Sequence, residues 1–336
     1  MKQWQLGQQP GWQNLQLVEQ PDPTPGTGEV LVRLRAASLN YRDLIVVNEQ
    51  KRFTPDRIPL SDGAGEVAAV GAGVTRWKVG DRVAGTFFRD WQGGRFDMSY
   101  HQAALGGSVD GVLRQQAVFP QHGLVRLPAD YSFEEGATLP CAGLTAWTAL
   151  MTRGQFQPGD TALLLGTGGV SIWGLQIVAA AGGRSIITSS SDDKLKRATE
   201  LGAWQTVNYR TTPDWDKEVH RITAKRGVDH VLEVGGPQTL GKSLASVAAA
   251  GHIAQIGVLT GFDAPQTTLF PLVGKNATMS GIYVGSREVF EQFVRFLDAT
   301  KIKPVIDHVF AFADAPAAYQ HMESAAHFGK VVIAIP

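Results

Sequence analysis

Apolar and charged residues alternate with period two along Glu29-Val30-Leu31-Val32-Arg33-Leu34-Arg35, the pattern of a strand with one buried face. Short β-like runs between glycines follow at Gly65-Glu66-Val67-Ala68-Ala69-Val70-Gly71 and Asp81-Arg82-Val83-Ala84-Gly85. The first third therefore reads as β-rich, and the Pro/Gly cluster at 21–28 as a loop between strands. The pattern changes near Pro128. Ser132-Phe133-Glu134-Glu135 fits a capping box, with Ser132 as N-cap, and predicts a helix through Trp147 or beyond. From Asp160 strand and helix alternate: a strand at 161–165, an apolar helix at 168–181, a strand at 185–188 and a helix at 193–201. Further strands are predicted at 228–234 and 252–257, separated by a helix at 240–250. Repeated βα units demand parallel strands with right-handed crossovers, so the fold class is α/β with a doubly wound Rossmann sheet. A helix at 287–298 and a strand at 330–334 close the chain.

The strongest chemical signal lies between the first strand and helix of that alternation: Leu163-Leu164-Leu165-Gly166-Thr167-Gly168-Gly169-Val170-Ser171. Gly166 permits a tight turn, and Gly168 lets the backbone approach a pyrophosphate. The helix that opens there offers unpaired N–H groups and its positive dipole end to that anion. Ser171 replaces the third glycine of the dinucleotide fingerprint with another small residue. An NAD-preferring site carries Asp or Glu about 20 residues after the loop, to hold the ribose 2′-hydroxyl. Here the second strand ends in Ser189-Ser190-Ser191, with no acid before Asp192. Hydroxyls tolerate a 2′-phosphate that a carboxylate repels, and Lys194 and Arg210 bring positive charge. The expected cofactor is NADPH. The same serines also suit a cap of the next helix, and the two roles are compatible.

Composition narrows the alternatives. The 31 basic and 31 acidic residues cancel, so the totals indicate no nucleic-acid-binding face. A single cysteine, Cys141, excludes an internal disulfide and a four-cysteine structural zinc site. No run of about 18 apolar residues predicts a membrane span. The first residues lack a basic segment followed by an apolar run, so a cytoplasmic location is expected. Eight scattered histidines form no metal-binding spacing and read as structural or surface residues.

Five blocks now stand in order: Ser38-Leu39-Asn40-Tyr41-Arg42-Asp43-Leu44, Asp62-Gly63-Ala64-Gly65-Glu66-Val67, Lys78-Val79-Gly80-Asp81-Arg82-Val83, Leu139-Pro140-Cys141-Ala142-Gly143-Leu144-Thr145-Ala146, and the dinucleotide loop. Together they resemble the medium-chain dehydrogenase/reductases, in the zinc-independent quinone oxidoreductase-like branch close to zinc-type alcohol dehydrogenases. The resemblance spans essentially the whole chain. It implies a GroES-like β-rich catalytic domain at 1–127, completed by 287–336, and a Rossmann domain at 128–286, with the active site in the cleft. It also implies a homodimer paired through the last strand of the nucleotide-binding sheet, near Met279 to Tyr283.

Zinc enzymes of the family use Cys, His and Cys as ligands, often with a nearby Glu. The matching positions here are Asn40, Ser61 and Cys141, with Asp62 for the Glu. One thiolate with an amide and a hydroxyl is a poor set for tetrahedral zinc, so no catalytic metal is expected. By position the resemblance puts Thr145 beside the nicotinamide, and Asn40 and Tyr41 where the first metal ligand would sit. Tyr41 reads equally as a hydrogen-bond or proton donor, a cofactor contact or a packed aromatic. Asp43 reads as an organiser of its loop. Cys141 reads as a buried core residue or a cleft residue without an essential chemical role. The cofactor set by position is Gly166, Thr167, Gly168, Gly169, Val170, Ser189, Ser190, Lys194, Tyr209, Gly235, Gly257, Val258 and Lys330, the last on the pyrophosphate.

Without a Lewis acid, hydride addition to a quinone or an activated C=C is easier than carbonyl reduction, because hydrogen bonds are able to hold the conjugated oxygen. The leading expectation is an NADPH-dependent reductase of quinones or α,β-unsaturated carbonyl compounds. A zinc-type alcohol dehydrogenase and a non-catalytic NADPH-binding protein are the alternatives. Some enoyl reductases of the family use a tyrosine just after the Asn-x-x-Asp block. The stretch 44–50 has none, which weakens the thioester reading. Aromatic residues at 87–100 read as the rim of a site for a bulky apolar substrate, or as core or dimer contacts.

Overall fold

The computed structural model describes residues 1–264 and 267–336. In chain order its strands are β1 (Lys2–Gln5), β2 (Gln16–Glu19), β3 (Glu29–Leu39), β4 (Asp62–Val70), β5 (Arg82–Gly85), β6 (Gln116–Pro120), β7 (Leu124–Arg126), β8 (Thr161–Leu164), β9 (Arg184–Ser189), β10 (Gln205–Asn208), β11 (Val228–Glu233), β12 (Val247–Gln255), β13 (Thr278–Gly281), β14 (Ile306–Ala311) and β15 (Lys330–Ala334). The chain divides into two units, Met1–Leu144 with Val284–Pro336, and Thr145–Tyr283.

The first unit is built on the sheet β14-β15-β3-β4-β5-β7, with β6 also on β3. Long β3 organises it. Its first half pairs with β6 and its second half with β15, antiparallel in both cases, with Leu39 opposite Val331. Its register against β4 shifts twice. Gly65 sits at that pairing, where a Cβ would lie 2.1 Å from the Arg33 carbonyl oxygen, so the close approach of the two backbones requires glycine. Leu34, Val67, Phe119, Tyr319, Val331 and Ile333 share the core beneath this sheet.

The capping box closes as expected. Glu135 N–H donates to Ser132 Oγ at 3.1 Å, and Ser132 N–H donates to the Glu135 carboxylate at 2.8 Å. The helix it starts, Phe133–Ala137, packs on β3 and β4, so the boundary expected at 127 falls at 144 instead. The single helix expected through Trp147 is interrupted. It widens into π-helical turns at Leu139–Gly143 and Thr148–Arg153, with Leu144–Trp147 between them. Pro140 lacks the N–H that a regular turn uses there, and Cys141 rides on that widened turn.

The second unit is a six-stranded, all-parallel sheet in the order β10-β9-β8-β11-β12-β13. Its winding reverses between β8 and β11, and ligands of such sheets bind outside the carboxyl ends of the strands at that point. The helix predicted at 240–250 stops at Ser246, and β12 begins at Val247. The alanines at 248–250 favour a helix intrinsically, but they fall in the register shift of β12 between Val247, paired with Val228, and His252, paired with His230. Ala250 takes a left-handed conformation (φ 59°), and its N–H goes to the Lys275 carbonyl at 2.8 Å. β10 and the helix Trp215–Ile222 carry patterns too short to be read from sequence, and β13 lies at Thr278–Gly281, overlapping the last strand placed near Met279 to Tyr283. Among the described residues no helix is long and apolar enough to cross a membrane.

Candidate active site

The glycine loop connects β8 to the helix Gly169–Ala180. Gly166 has φ 72°, a conformation that side chains resist. Its N–H donates to Thr188 Oγ1 on β9 at 3.1 Å, which fixes the loop to the neighbouring strand. A Cβ on Gly166 or Gly168 would meet nothing within 4 Å. The space beside the backbone is thus open, at a helix start whose first N–H groups lack intrahelical partners. Ser171 is buried, and its hydroxyl donates to the Leu165 carbonyl at 2.6 Å. Close helix–sheet packing falls instead to Gly174, where a Cβ would lie 2.9 Å from Leu232 and 3.1 Å from Leu164. Thr167 is buried, while Gly168, Gly169 and Val170 are half-buried.

Neighbouring strand ends bring the other expected cofactor residues of this unit to the same edge of the sheet. Ser189 ends β9 opposite Asn208 on β10, and its carbonyl accepts the Tyr209 N–H at 3.0 Å. Ser190 follows, and Ser191 caps the helix Asp192–Glu200 through the Lys194 N–H at 3.4 Å. The nearest acid, Asp192, accepts Asn208 Nδ2 at 2.7 Å.

At the end of β11 stands a residue that sequence reading missed. Glu233 is wholly buried, and its carboxylate accepts the N–H groups of Gly235 (2.7 Å) and Gly236 (2.9 Å), the Thr239 hydroxyl (2.6 Å) and the Ser243 hydroxyl. Four donors on one buried carboxylate fix the loop that carries Gly235. Thr260 ties the next loop to it, its N–H reaching the Gly235 carbonyl at 2.8 Å. Gly257 lies between, and a Cβ there would sit 2.1 Å from the Val234 carbonyl oxygen. Gly235, Gly257 and Val258 therefore belong to one cross-braced edge. Acidic strand ends are common, so only the fold reveals what Glu233 does.

A second cluster lies within the first unit, around the start of the helix Tyr41–Asn48. Asn40 N–H donates to Asp43 Oδ2 at 2.8 Å. Ser61 Oγ donates to Asp62 Oδ1 at 2.6 Å, and Cys141 N–H donates to Asp62 Oδ2 at 2.9 Å. Lys330, the first residue of β15, enters this cluster: its Nζ donates to the Leu39 carbonyl and to Asn40 Oδ1, each at 2.5 Å. Asp43, Ser61, Asp62 and Lys330 are all buried, and Asn40 is 8% exposed. Burial pushes the Asp43 carboxyl up to about 6, against the pull of the Arg42 guanidinium 3.7 Å away. Burial also raises Asp62, opposed by the Lys330 ammonium, the Ser61 hydroxyl and the Asn40 amide. It lowers Lys330, opposed by Asp62, and it raises the Cys141 thiol, with Asp62 adding to the rise. Arg42 also donates to the Leu105 carbonyl at 2.6 Å and stacks 4.6 Å over Phe87.

Lys330, expected on a pyrophosphate, thus spends its ammonium on Leu39 and Asn40. Of the other expected catalytic residues, Tyr41 is exposed and Thr145 is buried at the start of the second unit. The side-chain oxygens at Asn40, Ser61 and Asp62 are engaged with protein donors or with each other. Among the described residues no group of three or more His, Cys, Asp or Glu side chains is placed to hold a metal ion. The aromatic segment packs on itself: Phe88 meets Trp91 and Phe96 edge-on, and Trp91 stacks on Tyr100 at 5.9 Å.

Known proteins are similar to this chain in sequence and fold. Residues 26–129 match the alcohol dehydrogenase GroES-like domain, and residues 169–299 match the zinc-binding dehydrogenase family. A zinc-type alcohol dehydrogenase-like protein of Schizosaccharomyces pombe is 44% identical over 317 residues, covering 92% of this chain and 91% of its own. A quinone oxidoreductase-like protein 2 homolog of Nematostella vectensis is 27% identical over 92% of this chain and 82% of its own. The crystal structure of a putative alcohol dehydrogenase from Sinorhizobium meliloti superposes with a TM-score of 0.93 at 41% identity, covering 99% of this chain and 98% of the other. With a Rossmann sheet, a GroES-like unit and relatives along its whole length, the chain belongs to the medium-chain dehydrogenase/reductase superfamily and is an NAD(P)-dependent oxidoreductase.

Proposed function

We propose that this oxidoreductase uses NADPH to reduce quinones or α,β-unsaturated carbonyl compounds without a catalytic metal. The observation that carries the reading is the Lys330 ammonium on Asn40 Oδ1, inside the group of residues where zinc-dependent relatives hold their ion. A divalent cation there would face a buried ammonium, and Asp62 already accepts from Ser61 and Cys141. Zinc does not fit this donor set.

The residues of the glycine loop, with Gly235, Gly257 and Val258, would hold the dinucleotide, and Ser189, Ser190, Lys194 and Tyr209 its adenosine end. The hydroxyls at the end of β9, where no carboxylate stands, favour a 2′-phosphate. The reduced nicotinamide supplies hydride when bound. Negative charge then develops on the acceptor's conjugated oxygen, and this chain's part is to hold that oxygen by hydrogen bonds until a proton arrives from Tyr41 or solvent. Thr145 supports the nicotinamide side.

We also propose a cytoplasmic homodimer paired along β13. Its outer edge ends the sheet, and Leu269, Phe270 and Val273 nearby are half or more exposed. The deciding experiment follows oxidation of NADPH and NADH with a panel of quinones, enones and aldehydes, before and after chelation. NADPH oxidation by quinones or enones that survives chelation is expected. Alcohol oxidation abolished by chelation would assign a zinc-type alcohol dehydrogenase instead, and NADH binding at least about tenfold tighter would refute the cofactor preference.

A further inference from the structure

A lysine on the last strand is an unusual centre for a site, and its geometry restricts what its neighbours are able to do. An ammonium carries three donors and no acceptor. Two of them go to the Leu39 carbonyl and Asn40 Oδ1. The register that sets Val331 opposite Leu39 puts Lys330 beside that carbonyl, so the contact follows from the sheet itself. With Oδ1 held by a cation, the Asn40 amide keeps only its NH2 for further bonding. Asn40 Nδ2 is buried, and of its two N–H groups the Asp62 carboxylate draws at most one, leaving a donor with no acceptor within bonding geometry. A buried donor without an acceptor is costly to maintain, and its orientation is enforced here by the ammonium on the other side of the amide.

We propose that Lys330 is the fixed cation of the reaction centre and the positioning residue of Asn40. Its ammonium locks the amide with the NH2 as donor to the acceptor's oxygen, and keeps one positive charge beside that oxygen as it turns negative. This rests on the reading of the chain as a metal-free NADPH-dependent reductase. In the step concerned, the acceptor gains a hydride from NADPH, leaving NADP⁺. The electron pair displaced from the acceptor's conjugated bond moves to its oxygen, and a proton then neutralises that oxygen or its conjugate carbon. Lys330 neither gives nor takes an atom. Asp62, held by Ser61 and Cys141, supplies the counter-charge that keeps the ammonium in place without a direct role in the chemistry.

The test compares wild type with Lys330→Met and Lys330→Arg, measuring kcat for the acceptor, KM for NADPH, and metal content. Lys330→Met is expected to lose at least about tenfold in kcat, with KM for NADPH within about threefold, the pattern of an interaction made in the transition state. Lys330→Arg should recover part of the loss by keeping the charge. A buried carboxylate without its partner threatens folding, so Lys330→Met/Asp62→Asn carries the same test with charge balanced. A kcat within about twofold of wild type in either methionine variant overturns the inference and leaves the proposed function standing. A rise in KM for NADPH with kcat unchanged overturns it as well, since Lys330 would then serve cofactor binding alone. Stoichiometric zinc in active wild type, or no turnover on any acceptor, refutes the proposed function and takes the inference with it.

Discussion

Gly168→Ala separates folding from cofactor binding at the loop between β8 and the following helix. Gly168 has φ −78° and ψ −177°, extended backbone that any residue adopts. Its new methyl would meet nothing within 4 Å. The remaining cost is the poorer helix cap that alanine makes, about 1 kcal/mol at most, or a fall of roughly 2–4 °C in Tm. The same methyl, however, stands where the proposed pyrophosphate must approach the backbone. A loss of only about 1.4 kcal/mol of contact there is tenfold in Kd, and a steric clash should exceed that. Gly166→Ala is the companion, since φ 72° adds strain of about 1–2 kcal/mol to folding. Titrating NADPH by its fluorescence, with thermal unfolding in parallel, should show Gly168→Ala folded normally but weakened at least about tenfold in cofactor binding. Unchanged affinity in a normally folded Gly168→Ala protein would falsify the assignment of this loop.

Other consequences are as direct. Glu233→Ala strands four donors that the carboxylate now accepts, so stability should fall by about 3 kcal/mol or more and KM for NADPH should rise; urea unfolding at wild-type midpoint would rule this out. His252, whose Nε2 lies 2.6 Å from Ser280 Oγ, is pushed down to about 4 by burial, then by His230 and Arg153. Its folded value lies below the unfolded one of 6.5, so its contribution is full above pH 6.5 and is lost as the pH falls toward 4. His252→Asn should flatten that part of the stability–pH curve. Val273→Asp places charge on a residue 75% exposed beside the β13 edge, and should convert the proposed dimer to monomer in light scattering without lowering Tm.

The readable parts of this molecule are those whose signal is local. The alternation along β3, the capping box at Ser132 and the loop after β8 each carry their pattern within about a dozen residues, and each appears where the sequence places it. The errors share one cause. Residues 247–250 read as the end of a helix because alanine favours helices in isolation, whereas the chain there is anchored on either side by the pairing of Val247 and His252 with β11. The unit boundary moved from 127 to 144 because the helix Phe133–Ala137 finds its partners on β3 and β4, far back in sequence. In the candidate site the same division holds. The glycines were legible from spacing, but Lys330 meets Asn40 only through the pairing of β15 with β3, across 290 residues.

That long pairing bears on how the protein is made. The second unit, residues 145–283, is one continuous stretch and is able to fold as soon as it has been synthesised. The first unit has to wait, because β15 lies between β14 and β3 and is synthesised after the whole of the second unit. Until it arrives, β3 lacks its neighbour along the Leu39 end, Asn40 lacks its ammonium, and Asp43 and Asp62 have no lysine to offset their charge. A nascent chain interrupted near residue 329 would carry a finished nucleotide fold beside an unfinished sheet with an open edge. The proposed reaction centre is therefore completed only after the whole nucleotide-binding unit has been made, and a stop before Lys330 should yield a protein that retains dinucleotide binding but turns nothing over.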